Sequence, residues 1–343
     1  MTETKQEILS QPEVWVETLR YIKEKDPSNF PNIKDFGQII FTGCGSTFYL
    51  SCWAARLYEE VTGIVCRAVP ASEIVLFPTA WLSGKVKRLL IAVSRSGETT
   101  ETIQAAKMFQ EGGYGETLVI TCYPGSELAS VVPVVLETPS GQEKSVVQTR
   151  SFTCMMLATI WLLYKDIPSA LLETITNVGQ NILDISSDAV NRLNNNYEKI
   201  FFLGGGPRFG LANECMLKVK EMSLTNTESY HFLEFRHGPM SMVDKRSLVV
   251  GLLSGGFTET YEMKVMNEMK ALGARTMALT ETELKISADA IHDLIAFNSG
   301  LPSAWCAPLY LPAAQLMAYE RALSKGLDPD IPNNLKAVVR LDR

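Results

Sequence analysis

Arg88-Leu89-Leu90-Ile91-Ala92-Val93-Ser94-Arg95-Ser96-Gly97-Glu98-Thr99 is the stretch whose reading decides the fold. Leu89 to Val93 is an unbroken apolar run and predicts a buried strand. Thr100 to Gln110 predicts a helix. A strand that ends in Ser, Gly and Thr and turns at once into a helix makes an anion cradle. The backbone N–H groups of the first helical turn have no intrahelical acceptor, and the helix dipole favours negative charge there. The hydroxyls of Ser94, Ser96 and Thr99 and the guanidinium of Arg95 add donors suited to a phosphate. The same Ser/Thr run beside a Glu also fits an ordinary helix N-cap, so the local pattern leaves both readings open.

Outward from this stretch, strand-like and helix-like runs alternate. Gln38-Ile39-Ile40-Phe41-Thr42 leads into Gly43-Cys44-Gly45-Ser46-Thr47 and then a helix from about Phe48 to Thr62. Val65 to Val69 and Thr117 to Thr121 read as further strands, and Thr149 to Leu163 as a long helix. Such alternation predicts an α/β fold with a doubly wound, mainly parallel sheet. The plan then repeats. Phe202-Leu203-Gly204-Gly205-Gly206 echoes Phe41-Thr42-Gly43-Cys44-Gly45, and Ser254-Gly255 echoes Ser96-Gly97. The second copy has no counterpart of Arg95 and carries Gly255-Gly256-Phe257 in place of most of the Ser/Thr cluster. The first half is therefore expected to bind the anion. The expected layout is a helical segment over 1–35, domains at 36–167 and 196–327, a helical linker at 168–195 and an extended tail at 328–343.

The Gly43 to Thr47 loop lacks the third glycine of a dinucleotide fingerprint, and no acidic residue ends the next strand at Val69. This disfavours a nicotinamide cofactor. Converging on one phosphate with the Ser94 to Thr99 loop is the simpler reading.

The chain has 343 residues, 46% hydrophobic and 20% charged, with a net charge of −6. That length favours two domains, and that charge argues against nucleic-acid or anionic-membrane surfaces. The longest apolar run, Cys154 to Tyr164, is too short for a bilayer, and the first residues lack a signal-peptide pattern. The seven cysteines form no CxxC pair and the histidines number three. No metal site, no cofactor and a reducing, cytoplasmic setting are expected.

Glu214, Lys218 and Glu221 fall on one face of a helix beginning near Phe209. A charged row of this kind is ordinarily a solvated face; it could instead supply acid–base groups, because the helix starts at a Gly-rich turn. The stretch Ser229 to Met240 reads as a loop rich in aromatic and titratable residues. Within it, His237 precedes Gly238-Pro239 and is either a backbone-bonded loop histidine or a presented acid–base group. His231 and His292 read as structural. Lys336, in a proline-started tail, is either a surface residue or an amine able to form an imine.

These pieces together resemble the sugar isomerase (SIS) family, specifically the isomerase half of glucosamine-6-phosphate synthase. The resemblance runs through Glu7 to Pro12, the Gly43 to Thr47 loop, the Ser94 to Thr99 loop, Glu143 to Thr153, Leu217 to Glu221, Glu234 to Pro239 and the tail. It implies two tandem SIS domains and a sugar-phosphate substrate. It implies that Ser46, Thr47, Ser94, Arg95, Ser96 and Thr99 surround the phosphate, and that Val146 and Leu335 line the sugar. Glu221 would move a proton between C1 and C2, His237 would open the ring from the neighbouring subunit of a homodimer, and Lys336 would form an imine. Glu214 and Lys218 would support them. The family's synthases usually carry Gln where Arg95 stands and Lys where Arg150 stands. They also begin with a glutaminase domain, which this sequence does not contain, so the expected direction is deamination of glucosamine-6-phosphate to fructose-6-phosphate and ammonia. A sugar-phosphate isomerase, a fructosamine-phosphate deglycase and a non-catalytic sugar-phosphate-binding module are the alternatives.

Overall fold

The computed structural model describes residues 1–193, 196–285 and 287–340. Asn194 and Asn195, at the end of the expected linker, and residues 341–343 of the expected tail lie outside the described residues. The chain divides into two compact lobes. The first lobe comprises Ser10–Thr176 with the tail from Lys336, and the second comprises Met1–Leu9 with Asn177–Leu335. The chain ends thus cluster differently from the expected 1–35 and 328–343 segments: each is divided, because local contacts rather than sequence neighbourhood decide where it packs.

Helices α1 (Glu3–Leu9) and α2 (Gln11–Lys23) open the chain, within the expected helical segment over 1–35. The turn at Ser10 breaks them, and Trp15, Leu19 and Ile22 are wholly buried. In the first lobe follow β1 (Gln38–Gly43), α3 (Ser46–Thr62), β2 (Val65–Pro70), α4 (Ala71–Leu76), α5 (Pro78–Leu82) and β3 (Arg88–Val93). Then come α6 (Thr100–Glu111), β4 (Gly115–Thr121), α7 (Glu127–Val131), β5 (Val134–Glu137) and α8 (Arg150–Tyr164). Helix α9 (Ser169–Asn191) passes from the first lobe into the second at Thr176.

The second lobe continues with β6 (Lys199–Gly204), α10 (Arg208–Ser223), β7 (Asn226–His231), α11 (Phe232–Phe235) and β8 (Ser247–Leu252). It ends with α12 (Glu259–Ala271), β9 (Arg275–Thr280), β10 (Asp293–Ala296), α13 (Ser303–Cys306) and α14 (Leu311–Ser324). The expected loop from Ser229 is therefore strand as far as His231, paired with Gly204 of β6.

Each lobe holds a five-stranded sheet, ordered β2-β1-β3-β4-β5 and β10-β9-β8-β6-β7. All the pairings are parallel. The two orders are the same when each sheet is counted from its own first strand, as the echoed sequence stretches implied. Strands β1, β3 and β8 are buried at every residue, the pattern of strands covered on both faces. From β1 the chain winds one way to β2 and the other way to β3, so the carboxyl ends of β1 and β3 flank the switch point of the sheet. Open α/β sheets bind ligands there. β6 and β8 form the same point in the second lobe.

Candidate active site

In the first lobe the two loops expected to hold phosphate lie side by side, because β1 and β3 are neighbours. Gly43 makes the close approach possible. A Cβ there would stand 2.6 Å from Thr47 Oγ1 and 2.9 Å from Val93 O. Ser46 and Thr47 form the first turn of α3 and are buried. The Thr47 hydroxyl is bound within its own loop, accepting from Cys44 N (3.0 Å) and donating to Cys44 O (2.9 Å). Cys44 Sγ lies 3.7 Å from Thr102 Oγ1 on α6, which joins this loop to the other.

The Ser94–Thr99 loop is fixed from beneath by Ser94 N to Ile120 O and Cys122 N to Arg95 O. Gly97 has φ +65°, and a Cβ there would run into Ser126. Ser94 Oγ accepts from Gly97 N at 3.1 Å and Ser96 Oγ accepts from Glu98 N at 3.2 Å. Each of these hydroxyls still carries a proton to donate. Thr99 is the N-cap of α6 but makes no side-chain capping bond. Its hydroxyl is not engaged in the role that the capping alternative assigned to it.

Arg95 has other partners. Its Nη1 donates to Val146 O (3.0 Å) and Ser145 O (3.4 Å), and its Nη2 donates to Ala337 O (2.9 Å). Nη1 also stands 3.5 Å from Glu143 Oε2. Glu143 was legible only as a motif member, yet its fully buried side chain caps α8. Its Oε1 accepts from Thr149 N (2.7 Å), Thr149 Oγ1 (2.8 Å) and Ser151 N (3.1 Å). No local signal marks a cap that comes from seven residues before the helix. Arg150 binds Gln142 O and Ser10 Oγ. Val146 is half-buried and Lys336 exposed. Burial pushes the Cys122 thiol, behind this loop, up to about 12, which keeps it from acting as a thiolate.

In the second lobe the Glu214–Lys218–Glu221 row is not a solvated face. Glu214 is 0% exposed and Lys218 1%. Lys218 Nζ lies 2.6 Å from Glu221 Oε2 and 3.4 Å from Glu214 Oε1. The Glu221 side chain retains 19% exposure. Glu221 sits in the last turn of α10, roughly 20 Å along the axis from the Gly-rich turn at a rise of 1.5 Å per residue. The Gly-rich turn thus stands at the opposite end of α10 from Glu221. His237 is exposed, with its N bonded to Glu234 O (2.9 Å), and Gly238 turns the chain at φ +121°. His231 stacks on Phe209 with ring centroids 3.8 Å apart. Leu335 is 38% exposed.

The crevice of the second lobe holds an anion of its own. Ser254 N, at the end of β8, donates to Glu262 Oε2 on α12 at 2.9 Å. Burial pushes the Glu262 carboxyl above its ordinary range, partly offset by the Ser254 donors and by Arg208. Arg208 itself binds Glu281 and Tyr310. A carboxylate thus sits where the first lobe leaves hydroxyls. No cluster of metal-ligating side chains occurs among the described residues.

The SIS domain model matches residues 32–164 and 193–325. The chain belongs to the SIS domain family. Among the relatives of this SIS protein, the glutamine–fructose-6-phosphate aminotransferase [isomerizing] of Chlamydia abortus is 29% identical over 98% of this chain and 58% of its own length. The enzyme of the same name from Nostoc sp. is 29% identical over 90% of this chain and 52% of its own length. The chain thus spans roughly half the length of these curated relatives. The crystal structure of glucosamine-6-phosphate deaminase from Thermotoga maritima superposes with a TM-score of 0.80 at 27% identity, covering 99% of this chain and 100% of that one. Tagatose-6-phosphate ketose/aldose isomerase from Escherichia coli gives 0.83 at 24% identity, over 96% and 94% of the two chains, a likeness of fold. No helix among the described residues is long and apolar enough to cross a membrane.

Proposed function

We propose that this SIS protein is a sugar-phosphate isomerase/deaminase acting on an amino sugar, with glucosamine-6-phosphate as its substrate. The observation that carries the reading is the state of Glu221. Of the three charged groups in its row, it alone keeps a solvent-reachable carboxylate, while a buried ammonium at 2.6 Å holds it in place. Aldose–ketose interconversion needs one base serving two adjacent carbons. In this reading Glu221 takes the proton from C2 of the open-chain sugar and returns it to C1 through an enolamine. The resulting ketose imine adds water and releases ammonia, leaving fructose-6-phosphate.

Phosphate is taken by the backbone N–H groups of the Ser46–Thr47 and Ser94–Thr99 segments and by the hydroxyls of Ser46, Ser94, Ser96 and Thr99, while the Thr47 hydroxyl holds its own loop in shape, with Val146 and Leu335 beside the sugar. Lys336 can take the place of water at the ketose imine, releasing ammonia as its own amine bonds to C2, and water then hydrolyses that second imine to free the ketose and the lysine; His237 assists ring opening from a second copy of the chain. The exposure of both side chains supports these roles, and the full-length likeness to a deaminase supports the direction. Phosphate binding away from C1 and C2 supplies orientation at the reacting carbons.

The test is ammonia release from a panel of amino-sugar 6-phosphates. Glucosamine-6-phosphate is expected to turn over best, and Glu221→Gln to lose about 10²–10⁴-fold in kcat with substrate binding retained, the range for a general base. Full turnover by Glu221→Gln would remove the assignment. Ketose formation without ammonia would make the protein an isomerase instead.

A further inference from the structure

Two side chains of the loop after β3 hold the C-terminal tail. Arg95 Nη2 donates to Ala337 O, and Arg340 Nη2 donates to Glu98 Oε2 at 2.8 Å. Both contacts join residues 242 positions apart. Tail residues 337–340 therefore run alongside loop residues 95–98 in the same direction, at one register. The outer contact is an exposed ion pair, with Arg340 68% and Glu98 29% exposed, and such pairs contribute little. The inner contact is different. The Arg95 side chain is 7% exposed and faces the fully buried Glu143 carboxylate. Its two terminal nitrogens reach carbonyls from two separate segments, Ser145–Val146 and Ala337. Only the planar, multiply donating fork of an arginine spans such a set; a lysine is a single point donor.

We propose that Arg95 is a positioning residue for Lys336 and not a phosphate ligand. It clamps the tail backbone one residue beyond the lysine, so that the amine is presented at a fixed distance from the Ser94–Thr99 loop. The same guanidinium fixes the Val146 carbonyl, so the loop, the sugar-lining segment and the tail are set by one group. The role of Lys336 rests on the function proposed above; the clamp rests on the contacts of Arg95 alone.

The experiment compares wild type with Arg95→Gln, Arg95→Lys and Arg340→Ala. Three quantities are read: amide hydrogen exchange of residues 337–340, inorganic phosphate binding by calorimetry, and kcat and KM for the best sugar phosphate. Arg95→Gln and Arg95→Lys are expected to speed tail exchange by about tenfold or more, as for loss of buried charge-assisted hydrogen bonds. Both should lower kcat by a similar factor and leave phosphate affinity within about twofold. Arg340→Ala should speed exchange by less than about threefold. Arg95→Lys is the discriminating variant: a phosphate ligand would be largely rescued by its charge, a clamp would not. Unchanged tail exchange in either Arg95 variant, or a phosphate affinity that falls in step with kcat, overturns the proposal. Exchange and phosphate binding are read without turnover, so they stand if the reaction is misassigned; full activity of Lys336→Ala would overturn the reaction and leave the clamp.

Discussion

Lys218 is a fully enclosed cation with a carboxylate one turn to each side. A buried charge is tolerated only while its partners stay, and removing one partner leaves the others uncompensated. Lys218→Met is therefore expected to destabilise the second lobe by about 3–5 kcal/mol, the usual range for breaking a buried pair. Glu214→Gln in the same chain should restore part of that loss, since it removes the buried carboxylate left behind. Urea denaturation of the two single variants and the double variant checks this; additive losses would show that the groups do not interact. The spacing of the row is plain in the sequence. Its burial is not, because helical periodicity says which residues share a face and not what covers that face. Here α14 packs along α10, and Leu211, Cys215 and Val219 are buried as completely as Lys218.

At the level of elements, the two Gly-rich turns show how a repeat can keep its shape and change its use. Gly43 and Gly204 are both required by close backbone approach, since a Cβ on Gly204 would stand 2.5 Å from Arg208 O. The strand–turn–helix plan was legible from these glycines and from the apolar runs before them. That the second crevice contains its own carboxylate was not, because Glu262 lies in the first turn of α12, eight residues beyond the N–H it binds, and nothing local shows that its side chain turns back to that N–H. Its folded carboxyl is raised by burial, so it contributes stability below its ordinary range and loses that contribution as pH rises through the folded value. Glu262→Gln keeps the acceptor for Ser254 N and removes the charge. It is expected to be more stable than wild type at neutral pH, with the gain fading as pH falls through the raised folded value and gone once pH is below the ordinary glutamate value. Denaturation midpoints at pH 7.5 and pH 4 test this, and a gain that grows on acidification would reverse the sign of the argument.

For the whole molecule, the chain ends are assigned to opposite lobes from the segments that adjoin them in sequence. Helix α1 is capped by a residue more than three hundred positions away. Asp330 Oδ1 accepts from Thr4 N (2.7 Å) and Thr4 Oγ1 (2.6 Å), and Asp330 Oδ2 accepts from Glu3 N (2.9 Å). Lys5 adds an ion pair to Glu320 on α14 at 2.8 Å. Asp330→Ala is expected to cost about 1–2 kcal/mol, as for loss of a helix N-cap. Faster hydrogen exchange should be confined to α1 and α14 of the second lobe. Equal loss of protection across the first-lobe strands would mean that α1 does not belong with the second lobe.

The sequence by itself determined the α/β class, the parallel sheets, the duplication and the placing of Ser94–Thr99 on a strand-to-helix turn. These follow from apolar periodicity and from glycines demanded by the backbone, which act over a few residues. Tertiary structure alone decided that Lys218 is buried, that Glu262 fills the second crevice and that Arg95 reaches the tail. Those contacts join residues brought together by strand order and chain closure, and a hydrogen bond across 242 residues leaves no trace in local pattern.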